Sequence, residues 1–209
     1  MKSKRILYVL LTIILIRVIF MIFEGYSFNE ESSLEKIDRY KDDDLKIILR
    51  IETENGSAVL YKNMNSRRVG IAKLQNRFNS IWKVKSHIEL KFLEQKIPFV
   101  VVGEHIRNSE EEDQLTVGFH SKDANMAFLV CGPEDNKIEE RFKGSGLSIK
   151  KFREENLQYS IEEIKDGYSM FLQNEYIVSN WNFYVFDETG NLIATKIAGS
   201  GDAKYTDKN

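Results

Sequence analysis

A single cysteine, Cys131, and only two prolines stand in a chain of 209 residues. One thiol cannot close an intramolecular disulfide. Small secreted domains usually carry several such bridges, so a fold outside a membrane would here rest on its core alone. The scarcity of proline, beside 12 glycines, excludes a linker-rich or collagen-like chain. The three histidines, His87, His105 and His120, fall at no zinc-motif spacing, and Cys131 is not part of a CxxC pair. The Gly-Ser-Gly stretches at Gly144–Gly146 and Gly199–Gly201 match neither a P-loop nor GxGxxG and read as hinges.

A basic excess is also missing. Four of the 30 basic residues (Lys2, Lys4, Arg5 and Arg17) precede Glu24, which leaves 26 against 32 acidic residues in the rest of the chain. That remainder carries about six net negative charges, a poor match for nucleic acid. On net charge alone it also gains nothing from anionic lipid head groups. Disorder throughout is excluded by a composition that is 42% hydrophobic and 11% aromatic.

One long apolar run is present, at the start. Ile6 to Phe23 spans about 27 Å as a helix, close to the roughly 30 Å hydrocarbon core of a bilayer. Arg17 opposes insertion by about 2.5–3.5 kcal/mol, while each Leu, Ile, Val or Phe returns about 0.3–0.6 kcal/mol. Fourteen such residues outweigh it, and Arg17 can snorkel to the nearby end. Lys2, Lys4 and Arg5 lie before the run and Glu24, Glu30 and Glu31 after it. The positive-inside rule then predicts a cytoplasmic N-terminus, a single pass through the cell membrane and an extracytoplasmic remainder. A cleaved signal peptide competes, but "MIFEGYSFN" has no small-residue cleavage site. A buried soluble helix is the third reading. The expected division is 1–5 cytoplasmic, 6–23 transmembrane, 24–44 a polar juxtamembrane helix or linker, 45–198 a β-rich domain and 199–209 a flexible tail.

The fold class expected is α+β: the anchor, then a mainly antiparallel β-rich domain with one or two short helices. Ser32 with Glu35 suggests a capping box for a short helix. "LKIILRIETENGSAVLYKN" alternates on either side of Asn55-Gly56 and predicts a hairpin. "RVGIAKLQ", "FNSIWKVKSHIELKF" and "KIPFVVVGEHI" are further strands. "QLTVGFHS" and "NMAFLVCG" are expected to pair with one another. Residues 137–160 give no clear pattern. "SIEEIKDGYSMFL" predicts a helix, with Ser160 and Glu163 as a second capping box and Ile161, Ile164, Tyr168 and Phe171 on one face. "NWNFYVFDETGNLIATKI" predicts a closing hairpin with Gly190 in the left-handed position, and the tail after it is expected to fray.

The order of anchor, helix, "ENGSAVLYKN", "VGIAKL…FNSIWKV", "PFVVVGEHI" and a final "DETGNLI" strand resembles a family of small single-anchor membrane proteins of Gram-positive, spore-forming bacteria. That family carries "NG…FY", "GVG…WKW" and "hydrophobic–Gly–hydrophobic" stretches in the same order. Here Asn79–Val84 reads "NSIWKV" in place of Gly-Trp-Lys-Trp. The resemblance implies topology and location, and no site residues.

No catalytic, cofactor-binding or metal-binding residue is assigned. Cys131 as a nucleophile would need His120 as its base, and a glycan hydrolase would need a carboxylate pair such as Glu104 and Glu89. "KDDD" at Lys41–Asp44 and "SEEED" at Ser109–Asp113 lack the spacing of an EF-hand loop and read as solvated charge. The function expected is a non-enzymatic binding domain at the bacterial cell envelope. Its partners would be the lipid bilayer through residues 6–23 and an unidentified envelope protein or cell-wall component, with no nucleic acid and no cofactor. Tyr61, Trp82, Trp181 and Tyr184 are the candidate contact residues, weighed against simple core packing. The alternative is an envelope hydrolase using carboxylates or Cys131. A sensing ectodomain is disfavoured because only about five residues precede the anchor.

Overall fold

The computed structural model describes residues 2–37, 44–66, 68–77, 81–90, 97–106, 114–174, 181–197 and 201–206. The fold is α+β, as expected: an N-terminal apolar helix precedes antiparallel sheets with a few short helices. The first helix, α1 (Lys2–Phe23), has no buried residue in its apolar span Ile6–Phe23. A helix apolar all round its circumference belongs in a core or a bilayer, and this one is in no core.

After it, α2 (Glu30–Glu35) is capped by Asn29, whose side chain accepts the Ser32 N–H at 2.7 Å. The cap is therefore Asn29 and not Ser32. The Asn29 carboxamide reaches an orphan amide of the first turn, a contact worth about 1 kcal/mol.

Four strands then run in chain order as one sheet: β1 (Leu45–Thr53), β2 (Gly56–Asn63), β3 (Val69–Arg77) and β4 (Ile81–Leu90). One face carries Val59, Tyr61, Ala72, Leu74 and Trp82 and buries Leu34 of α2. The other carries Ala58, Leu60, Val69 and Ile71.

That second face packs on a middle sheet of β5 (Phe99–Ile106), β6 (Gln114–Ser121) and β9 (Tyr168–Asn174). Gly118 of β6 makes the approach possible. A Cβ there would lie 2.6 Å from Leu60 Cδ1 and 2.6 Å from Ile71 Cγ2. The opposite face of the middle sheet carries Phe99, Leu115, Val117, Phe119 and Phe171. It packs on a third sheet, ordered β12-β11-β10-β7-β8. These strands are β7 (Phe128–Gly132), β8 (Ser160–Glu163), β10 (Asn182–Phe186), β11 (Leu192–Lys196) and β12 (Lys204–Tyr205). The outer face of the third sheet is covered by α3 (Ile138–Gly144) and α4 (Ile149–Glu155) through Phe142 and Phe152. The order of layers is α2, three sheets, then α3 with α4.

Several expectations are corrected. Residues 160–172 form no helix. Asp166 (φ 53°) and Gly167 (φ 80°) make a tight turn, closed by two backbone hydrogen bonds of 2.8 Å between Lys165 and Tyr168. Two successive positive φ values define the hairpin turn that Asp-Gly favours, and the flanking segments become β8 and β9. The strands β6 and β7 do not pair with one another. β6 lies between β5 and β9, and β7 between β10 and β8. The tail does not fray throughout: Ala203 is buried, and Lys204 and Tyr205 pair with Thr195 and Ala194. The stretch 137–160, unreadable by periodicity, holds two helices of seven residues each. The β10–β11 hairpin and its Gly190 (φ 79°) are as expected.

Candidate functional site

The groups singled out for chemistry sit on strands, so alternation decides which face each occupies. Along β6, Leu115, Val117 and Phe119 face the third sheet, while Thr116, Gly118 and His120 face the first. The His120 ring stacks on Tyr168 at 4.4 Å, and its Nδ1 lies 3.1 Å from the Gly167 carbonyl oxygen, which accepts the hydrogen bond. Burial, seconded by Lys62 and Lys122, holds the His120 pKa below its ordinary value, while the Gly167 carbonyl acts in the opposite sense. Cys131 lies in the cluster with Phe119, on the far side of the middle sheet, and burial pushes its thiol well up. The middle sheet thus stands between Cys131 and His120, and they form no nucleophile–base pair.

Glu104 and Glu89 are separated in the same way. Glu104 shares the face of Val102, toward the first sheet. Glu89 is opposite Gly70, itself opposite Tyr61, on the α2 side of the first sheet, and accepts from Arg68 at 3.0 Å. Near Glu104 the interior is polar. Thr116 pairs with Glu104 across the strands, and Lys73 of β3 donates to Gln114 Oε1 at 2.7 Å, joining the two sheets. The Lys41–Asp43 and Ser109–Asp113 runs lie outside the described residues, as does the His105 side chain. No group of three or more His, Cys, Asp or Glu that could hold a metal occurs among the described residues.

The four candidate aromatics are engaged in packing. Tyr61, Trp82 and Tyr184 are buried, and Trp181 is half-buried against the core between the middle and third sheets. Tyr184 Oη donates to the Pro133 carbonyl (3.1 Å) and accepts the Asp135 N–H (2.9 Å). Asp135 also accepts from Arg141 Nε (2.7 Å) and Tyr159 Oη (3.1 Å). Burial, with the neighbouring Asp135 charge, pushes Tyr159 up to about 12.

A different constellation forms where α1 meets the first sheet. Three residues, Glu24, Gly25 and Tyr26, separate the helix end from Ser27, and backbone bonds back to Phe20, Ile22 and Met21 close that turn. Ser27 pairs with Trp82 of β4. Val18, Met21 and Ile22 line a shallow cleft with Tyr26, Phe28 and Ile81. Arg77 and Lys83 lie over the Tyr26 ring, 5.2 and 5.0 Å from its centroid, and Lys36 Nζ donates to the Tyr26 carbonyl. Phe28 is exposed beside them.

No family model, curated protein or solved structure matches the chain.

Sequence reasoning passed over this junction. Its signal was two aromatics, Tyr26 and Phe28, directly after an apolar span, where interfacial belts occur. The two cations come from strands about fifty residues further on, a juxtaposition only the fold creates.

Proposed function

We propose that the protein is a single-pass cell-membrane protein whose β-rich domain stands outside the cytoplasm and binds an envelope protein or cell-wall component. The observation that carries this reading is an 18-residue apolar helix of which no part is buried, joined directly to a folded domain. A helix of that surface in water exposes an apolar area far beyond what soluble monomers tolerate. The basic N-terminal flank favours a cytoplasmic start, and affiliation with the small single-anchor family of spore-forming bacteria is proposed on the same topology. A binding role is preferred to an envelope hydrolase because the pairs such an enzyme would use, Cys131 with His120 and Glu104 with Glu89, lie on opposite faces of sheets.

The test is fractionation of the full-length protein, followed by protease treatment of intact protoplasts. Recovery in the membrane fraction with digestion of the domain is the expected result. A soluble product, or a domain untouched by external protease, overturns the proposal. Affinity capture from membranes, with a chain lacking residues 1–24 as control, then identifies the partner.

A further inference from the structure

We propose that the domain itself docks on anionic phospholipid head groups of the leaflet from which α1 emerges, through Phe28, Arg77 and Lys83, the two cations held over the buried Tyr26 ring; this rests on α1 spanning the membrane. The geometry leaves little room for a domain held away from the bilayer. The junction has no linker: the chain turns at Gly25 and enters the first sheet at Ser27, whose N–H donates to Trp82 O and whose carbonyl accepts from Trp82 N–H. Ile81 and Phe28 share a cleft with Val18, Met21 and Ile22. Domain residues therefore run alongside α1 from Val18 toward Phe23, about 7–8 Å of helix at 1.5 Å per residue. If the apolar span ends at Phe23, Ile81 and Phe28 lie at or beneath the level of the head groups.

The side chains at this level suit that position. Phe28 is 66% exposed and Phe23 86% exposed, a cost in water and a gain at a membrane interface. Among the described arginines of the domain, Arg50, Arg68, Arg141 and Arg153 each pair with a carboxylate. Among the described residues, the Arg77 and Lys83 side chains have only the Tyr26 ring. Two cations held on an aromatic face with no counter-charge among the described residues, beside exposed phenylalanines, match the chemistry of phospholipid phosphates over an acyl boundary. Glu24 is exposed at the same level and opposes the attraction in part, while Glu30 is already paired with Arg50. The negative net charge of the domain does not prevent docking, because screening confines the interaction to charges within about 8 Å of the surface.

The experiment uses the full-length chain in vesicles of phosphatidylcholine containing about a quarter phosphatidylglycerol. An environment-sensitive fluorophore is attached in turn to Phe28→Cys, Leu157→Cys and Ile14→Cys, and quenching by nitroxide-bearing lipids is measured. Cys131 is buried and leaves the label specific. Label at position 28 is expected to be quenched at least fivefold more than at position 157, on the distal side of the domain. The Arg77→Glu, Lys83→Glu double variant is expected to lose that difference in anionic vesicles, with Arg77→Gln, Lys83→Gln as the milder second variant. Quenching at position 14 with none at position 28 overturns the docking while the anchor stands. Absence of quenching at position 14 overturns the anchor and the docking together. Undiminished quenching at position 28 in both charge variants overturns the role of the cations.

Discussion

Ser27 and Trp82 exchange two backbone hydrogen bonds, of 2.8 and 2.7 Å, and so fasten the end of the apolar helix to the fourth strand of the first sheet. The Trp82 carbonyl also accepts from Ser33 Oγ at 2.8 Å, and its indole is covered by Arg50 at 5.4 Å. Trp82→Ala removes the side chain that Leu34 and Leu74 pack against. A loss of about 3–5 kcal/mol is expected, read by denaturant unfolding of the full-length chain in detergent with Trp181 as the remaining fluorophore.

Gly118 makes room for Leu60 and Ile71 by having no side chain. Gly118→Ala pushes a methyl into both and is expected to cost about 1–3 kcal/mol. Leu60→Ala alone also destabilises. The double variant should lose less than the sum by about 1 kcal/mol, since the smaller residue makes room for the new methyl. Strict additivity in that cycle would remove the steric explanation.

Gly167 sits at φ 80°, and a Cβ there would lie 2.3 Å from the Ser121 carbonyl oxygen. Gly167→Ala is expected to cost more than about 1 kcal/mol, from both the backbone conformation and the clash. Asp166→Gly relieves the neighbouring positive φ and should be far milder. Thermal midpoints of the two variants compare them.

His120 is held below its ordinary pKa of 6.5 by burial and by Lys62 and Lys122. The unfolded chain therefore binds this proton more readily than the folded one. Stability is full above the unfolded value and falls as pH drops from there through the lowered folded value. His120→Phe keeps a ring against Tyr168 and should flatten this part of the pH profile. An equal slope in both proteins would assign the acid sensitivity elsewhere.

Cys131 is fully buried with its thiol pushed up by burial, so both access and thiolate are scarce. Maleimide should leave the native protein unmodified and modify one site after denaturation. Rapid native labelling would contradict the packing of this strand.

The first sheet was legible because its pairings are local: alternating residues, short turns and strands in chain order. Which of the later strands become neighbours was not, since β6 meets β9 and β7 meets β10 across long separations, and nothing in a strand's own residues names its partner. Ile161, Ile164, Tyr168 and Phe171 fit a helical face, yet the Asp166-Gly167 pair between them is a hairpin signal of greater weight. The helices α3 and α4 have seven residues each, under two and a half turns, too short for a repeat to declare itself. Trp82 and Tyr184 could not be sorted into exposed or buried from spacing, because an aromatic on an alternating strand fits either face.

The middle and third sheets are threaded through one another along the chain: β5 and β6, then β7 and β8, then β9, then β10 to β12. As the polypeptide emerges N-terminus first, the meander β1 to β4 can close on itself while later residues are still being made. The middle sheet must wait for β9 and the third for β12, so the core between them closes late in synthesis. A cut anywhere between β7 and β9 would deprive both of a member, whereas the meander has every strand partner it needs within residues 45–90.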